Sequence, residues 1–281
     1  MQIANNIVGL DTNALPQGEH LLYNSEVRVS FNAELHRYQV SDIRVDGGRP
    51  CIVPSVTTIL SAMLAKPHLQ SWALKLAAQS MIAAFQPNRP YQATDIQRMA
   101  WLAVDAGKRA TAEAGATGAE THHCIEAYLR QRNGENVQAL WPQDSMAQKC
   151  FLAAINWLEA NNVRMLHAEK ILYSRAHRVI GTMDLAGLVT VNGRSAVIDY
   201  KTSNRLAPSM RLQLAAYQAM YAECFGINLQ DRWLLRLDKE TGDCEPVKLS
   251  VETARGEADA FFKMVEAYRA LSELKFFEEA A

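Results

Sequence analysis

Between residues 163 and 201 the apolar positions leave helical spacing, and three strands fit, at 166–174, 178–190 and 195–201. Asn192-Gly193 supplies a hairpin turn between the last two, because both residues tolerate the positive φ that a tight turn demands. Helical periodicity on either side of this unit commits the chain to a layered α/β body. The third strand ends in an unusual way. Ala196-Val-Ile-Asp-Tyr-Lys-Thr202 begins as a buried strand and finishes with Asp199 and Lys201. Side chains two apart on a strand share a face. A carboxylate and an ammonium at the end of an apolar strand are costly unless they are paired or hold an ion. Asp184 stands fifteen residues upstream, in Val179-Ile-Gly-Thr-Met-Asp-Leu-Ala-Gly-Leu-Val189. Two Asp and one Lys on adjacent strands make a compact site for a divalent metal and an activated water.

The flanks fill in the architecture. Helical segments are expected at about 69–85, 93–114, 118–132 and 143–161; in the last, Ala147, Phe151, Ala154, Ile155 and Leu158 form one apolar stripe. After the hairpin come a helix near 207–225 and strands near 231–238 and 244–250. A closing helix carries Val251, Ala254, Ala258, Phe261, Val265, Tyr268 and Leu271 on one face. Ahead of everything, Val27–Phe31 and Tyr38–Val45 alternate as a hairpin, Asp46-Gly-Gly-Arg-Pro50 reads as a turn, and Pro54–Leu60 opens a helix with Pro54 in its first turn. The fold class is α/β, a mixed central sheet flanked by helices with an N-terminal hairpin and a helical lobe. Residues 1–25 show no period and read as loose. Residues 26–281 read as one domain, a hairpin plus helical lobe over 26–140 and an α/β core over 141–281, since no Pro/Gly/Ser linker divides them.

The net charge of −1 neither announces nor excludes a nucleic-acid partner, because a basic groove can be offset by acids elsewhere. The five cysteines are at least twenty residues apart, so no CxxC zinc pair exists, and indifferent thiols in a reducing cytoplasm are expected. No basic-then-apolar leader and no run of about eighteen apolar residues is present, so neither a signal peptide nor a membrane span is expected.

Phosphodiester hydrolysis needs a nucleophile and neutralisation of developing negative charge, and carboxylate-held Mg²⁺ supplies both. Asp184 and Asp199 are the candidate ligands, with the backbone carbonyl of Tyr200 as another. Lys201 is the cation that orients the attacking water or helps to deprotonate it. Glu169, in the preceding strand, either adds a carboxylate or pairs with Lys170 or Arg178 at the surface. Gln213 and Tyr217, four apart on a helix, can together hydrogen-bond phosphates or bases; an ordinary half-buried tyrosine is the plainer alternative. Gly118, His122 and Glu126 follow at spacings of four, so His122 and Glu126 share a helix face. His122 could ligate the metal or contact the phosphate, and Glu126 either supports the site or pairs with Arg130. Trp72, near Lys66, His68 and Lys75, is either a base-stacking platform or core; Lys108 and Arg109 lie further on.

Together these residues resemble the PD-(D/E)XK nuclease superfamily, in particular its RecB-like exonuclease branch. The branch pattern G-x-x-x-H-x-x-x-E, an acidic residue, G-x-x-D, D-x-K-T and Q-x-x-x-Y is matched in order by Gly118/His122/Glu126, Glu169, Gly181–Asp184, Asp199–Thr202 and Gln213/Tyr217. His36-Arg-Tyr38, Val53–Leu60, Lys66-Pro and Trp72-Ala look like the opening of phage and prophage-type exonucleases, and the layout is similar to that of the mitochondrial genome-maintenance exonuclease. The resemblance covers roughly residues 36–225. It implies an αβββαβ core, Mg²⁺ or Mn²⁺ held by His122, Asp184 and Asp199, a catalytic Lys201, and supporting roles for Gln213 and Tyr217. It further implies cleavage of linear DNA from single- or double-stranded ends, in recombination, repair or phage DNA processing, in the cytoplasm of a bacterial or phage-infected cell. A recombination partner protein and a homo-oligomer are compatible with it. Some relatives carry a four-cysteine iron–sulfur cluster; here no cysteine follows Cys244 and none cluster, so no iron–sulfur cluster is expected. Two other readings stay open, a site- or structure-specific endonuclease and a catalytically silent DNA-binding protein. The intact Asp184/Asp199/Lys201 set speaks against the second.

Overall fold

The computed structural model describes residues 18–32, 37–65 and 67–277, apart from the side chains of 67–69. His36, Lys66 and most of the first 25 residues therefore lie outside the described residues. The described residues divide into two compact units, one reaching Leu64 and resuming at Glu120, the other spanning Ala65–Ala119.

The larger unit opens with strands β1 (His20–Leu22), β2 (Val27–Asn32) and β3 (Arg37–Asp42), the short helix α1 (Ile43–Asp46), and β4 (Pro50–Val53). The expected hairpin is the middle of a four-stranded antiparallel sheet in sequence order, but its second strand ends at Asp42: residues 43–45 turn into α1, which the Asp42 carboxylate caps by accepting the Arg44 N–H. Helix α2 (Val56–Met63) follows, and Ser55 caps it by accepting a hydrogen bond from the Thr58 N–H. Pro54 consequently lies outside the helix rather than in its first turn, because the Ser55 hydroxyl takes the capping position.

The helical unit holds α3 (Pro67–Ala84) and most of α4 (Ala93–Arg132). The expected break between residues 114 and 118 does not occur. Gly115 and Gly118 each weaken a helix, but Ala110, Ala112, Ala114, Ala116 and Ala119 around them are the strongest helix formers, and the helix runs through.

The core then follows as α5 (Ser145–Ala160), β5 (Val163–Ser174), β6 (Val179–Val189), β7 (Arg194–Lys201), α6 (Pro208–Phe225), β8 (Asp231–Leu237), β9 (Cys244–Leu249) and α7 (Ala254–Glu273). Val251 precedes α7 and is exposed, so it does not belong to that helix's apolar face. The five strands form one sheet in the order β5-β6-β7-β8-β9, antiparallel except for the parallel pair β7–β8. The parallel pair requires a crossover, and α6 provides it. One face of the sheet packs on α2, α6 and α7 through residues such as Val197, Leu234, Ile59, Leu214 and Phe261. The other packs on α5 and the end of α4 through Ile198, Tyr200, Leu235, Ile125 and Phe151. Covering both faces explains why β7 reads as a continuous apolar run until its last residues. A third cluster joins the N-terminal sheet to β5 and β6 through Val29, Val40, Ile171 and Ile180. Among the described residues no helix is long and apolar enough to cross a membrane.

Candidate active site

The ladder between β6 and β7 runs from Val189 opposite Arg194 to Leu185 opposite Ile198 and then stops. The next pair in register would be Asp184 and Asp199. At that point the Asp184 carboxylate replaces a strand carbonyl: its Oδ2 accepts the Tyr200 N–H at 2.9 Å. The strands part where the two carboxylates begin, and the opening between them is the site. Both are buried, Asp184 at 8 % and Asp199 at 1 % exposure.

Lys201 Nζ lies 2.5 Å from Asp199 Oδ2, the same-face pair expected from their spacing. Apart from that ammonium, neither buried oxygen of Asp199 meets a hydrogen-bond donor. From α4, His122 reaches over the strand ends. Its Nε2 is 3.0 Å from the Tyr200 carbonyl, while its Nδ1 lies 3.4 Å from Asp184 Oδ2 and 3.7 Å from Glu169 Oε1. Thus the Tyr200 carbonyl, a candidate ligand, accepts from the imidazole. Glu169 faces His122 rather than Lys170 or Arg178; Arg178 pairs with Asp46 instead.

Glu169 has a left-handed backbone, φ 44°. Its neighbours Ala168 and Lys170 pair with Leu185 and Met183, so Glu169 stands opposite Asp184 at an interruption of the ladder. A non-glycine residue in this conformation is strained by about 1–2 kcal/mol. Ligand atoms of His122, Glu169 and Asp184 all fall within 4.8 Å of one another.

The electrostatics follow from burial and crowding. Burial pushes Asp199 up, Lys201 pulls it back, Asp184 adds to the rise, and the carboxyl comes to about 6. Asp184 is likewise raised, by burial first, against the pull of His122 and Lys201. Burial disfavours the His122 imidazolium, but the carboxylates of Asp184 and Glu169 outweigh it and raise its pKa to about 9. Lys201 is also raised, since Asp199 and Asp184 overcome the burial that would lower it. Three carboxylates face two cations here, and the buried Asp199 oxygen without a donor wants a positive partner. Among the described residues, His122, Glu169 and Asp184 form the group whose ligand atoms could hold a metal ion; Asp199, engaged by Lys201, is not part of that group.

Gln213 Nε2 donates to the Tyr217 hydroxyl at 3.4 Å, so the pair meets as its helical spacing requires. Tyr217 is only 2 % exposed and belongs to the core, which leaves its ring closed to DNA. It packs over Gly181, where an added Cβ would sit 2.8 Å from Tyr217 Cε1. The glycine three residues before Asp184 thus makes room for the tyrosine. Glu126 pairs with Arg130 at 3.3 Å and lies 3.8 Å from His123 Nδ1, the surface alternative to a site role. Trp72 belongs to the helical unit, on α3, and is 36 % exposed. Tyr38, noted in the sequence only as part of the N-terminal resemblance, stands beside the site: its hydroxyl is 3.0 Å from Thr182 Oγ1, and the Glu169 carboxylate contributes to raising its pKa, after burial. Only the packing of the N-terminal sheet against β5 and β6 brings it there, which no local pattern reveals.

A family model described as the PD-(D/E)XK nuclease superfamily matches residues 89–277. The chain belongs to that superfamily. The α-β-β-β-α-β order from α5 to β8 and the mixed sheet are in keeping with a PD-(D/E)XK nuclease, as is a His–Glu–Asp group able to hold a metal. Among curated proteins none matches the chain. Among solved structures, the crystal structure of SSO0001 is similar at 12 % identity, covering 70 % of this chain and 86 % of that one, with a TM-score of 0.23.

Proposed function

We propose that this PD-(D/E)XK nuclease is a metal-dependent DNA exonuclease of the RecB-like kind, with residues 26–281 working as one nuclease domain. The observation that carries the reading is the meeting of Asp184, Asp199 and Lys201 where β6 and β7 part, beneath His122 and Glu169. Asp184, Asp199 and His122 would hold Mg²⁺ or Mn²⁺, with Glu169 and the Tyr200 carbonyl at hand. The ion supplies a Lewis acid for the phosphoryl oxygens and a lowered pKa for water.

The chain's own residues do the rest. Lys201 stays an ammonium beside Asp199, so it acts as a fixed positive charge that orients the nucleophilic water and neutralises the phosphate. It is not a free base, because its neighbours favour the charged form. Burial of Asp184 and Asp199 keeps competing water from their oxygens. Tyr217, held by Gln213 and seated on Gly181, supports β6 from below the site. DNA ends are the substrate in this reading, in repair, recombination or phage DNA processing in the cytoplasm, with a recombination protein or further copies of the chain as partners.

End dependence is tested by incubating the protein and Mg²⁺ with linear and covalently closed circular DNA, each single- and double-stranded. Degradation confined to linear forms is expected. Equal cutting of closed circles would make the protein an endonuclease.

A further inference from the structure

The helical unit differs in charge from the rest of the chain. Residues 65–119 hold six Lys or Arg against three Asp or Glu, although the whole chain carries −1. In the same unit, Trp101 on α4 is 72 % exposed, far more than Trp72 at 36 %. An aromatic ring this exposed offers a face on which a base can stack.

The position follows from the packing of α4. Ala103 and Gly107 are buried on one side, where a Cβ on Gly107 would come within 3.1 Å of the Ala73 carbonyl oxygen. That close approach of α3 turns the opposite side outward. At 3.6 residues per turn, Trp101, Lys108, Asp105, Arg98 and Arg109 fall within about 100° of arc on the outward side. All five are exposed. Arg98 precedes Trp101 by one turn and Lys108 follows by two. Among the described residues none of Arg98, Lys108 and Arg109 has an ion-pair partner, and Asp105 is the one acid on the face.

We propose that this face of α4 is a single-strand DNA site, in which Trp101 stacks on a base and Arg98, Lys108 and Arg109 hold the flanking phosphates. The inference rests on the nuclease reading given above. Charge complementarity selects the occupant. Cations around an aromatic match a strand whose bases are free to stack, whereas duplex bases already stack on each other. A second copy of the chain would set the same positive face against itself across a two-fold axis, with like charges opposed.

The test is fluorescence anisotropy with full-length protein in EDTA, so that binding is read without turnover. The probes are a fluorescein-labelled oligothymidine and a labelled blunt duplex. Trp101→Ala should weaken oligothymidine binding roughly five- to one-hundred-fold and leave the duplex nearly unchanged, while Trp101→Phe keeps most of the affinity. Circular dichroism checks the fold of each variant. The double variant Arg98→Glu/Lys108→Glu should also weaken binding and lower the salt slope by roughly 0.7 for each phosphate it no longer neutralises. Oligothymidine affinity unchanged in Trp101→Ala overturns the proposal. So does a change of oligomeric state on sedimentation with affinity unchanged, which would assign the face to a second copy. A protein that cleaves nothing yet depends on Trp101 for oligothymidine keeps this inference and loses the nuclease reading. One that degrades linear DNA without that dependence does the reverse.

Discussion

Asp184 Oδ2 accepts the Tyr200 backbone N–H at 2.9 Å, so one carboxylate both closes the β6–β7 ladder and faces the candidate metal site. The two duties separate by substitution. Asp184→Asn keeps an amide oxygen for the Tyr200 N–H and should unfold within about 1 kcal/mol of wild type, whereas Asp184→Ala strands a buried donor at a cost of roughly 1–3 kcal/mol. Both should lose nearly all turnover while DNA binding persists. Urea titrations and steady-state rates check this; turnover surviving in Asp184→Asn would remove Asp184 from the ligand set.

His122 stands between the Tyr200 carbonyl and two carboxylates, which raise its pKa to about 9. It is therefore an imidazolium at neutral pH before metal arrives, and ligation requires the neutral ring. Calorimetric titration with Mn²⁺ in buffers of different ionisation enthalpy should show about one proton released per ion at pH 7.5. His122→Gln should bind more weakly and release less. The same proton release from the variant would exclude His122 as a ligand.

Glu169 combines a left-handed backbone with a carboxylate beside His122. Replacement by Gly removes the Cβ that makes this φ unfavourable, and replacement by Ala does not. Glu169→Gly should thus be more stable than Glu169→Ala by roughly 1 kcal/mol, although both lose activity. Equal stabilities would show that the backbone relaxes once the carboxylate is gone.

How much of this was legible in the sequence depends on the range of each interaction. Asp199 and Lys201 met as their spacing of two required, whereas the hairpin that brings Asp184 alongside turns over residues 190–193, with positive φ at Gly193 but not at Asn192. Gln213 and Tyr217 likewise met through one helical turn. The continuity of α4 is hidden in the sequence because Gly115 and Gly118 interrupt it, although the alanines around them carry the helix through. The left-handed φ of Glu169, at the interruption of the β5–β6 ladder, and the approach of Tyr38 to Thr182, through the packing of one sheet on the other, have no local signature. The exposure of Trp101 has no local signature either, since it is settled by which side of α4 meets α3.

Asp231 offers a pH test outside the active site. Burial pushes its carboxyl up, but Arg194 and Lys248, at 2.8 and 2.7 Å, win and hold it below the ordinary 3.8. The unfolded chain then binds more protons than the folded one in acid. The contribution is present above about pH 4 and is lost as pH falls through the lowered pKa. Wild type should therefore exceed Asp231→Asn in urea midpoint at pH 6, with the gap closing by about pH 2–3. A gap independent of pH would contradict the assigned ion pairs.

The central claim, metal-dependent phosphodiester hydrolysis at the Asp184/Asp199/Lys201 site, is tested most directly by the cleavage rate of linear DNA with Mg²⁺, with EDTA, and in Lys201→Ala. Wild type should cleave with Mg²⁺ and stop with EDTA, and Lys201→Ala should fall by roughly 10²- to 10³-fold in kcat, the scale for losing one charge-stabilising group. Cleavage at the wild-type rate by Lys201→Ala, or in EDTA, would contradict it.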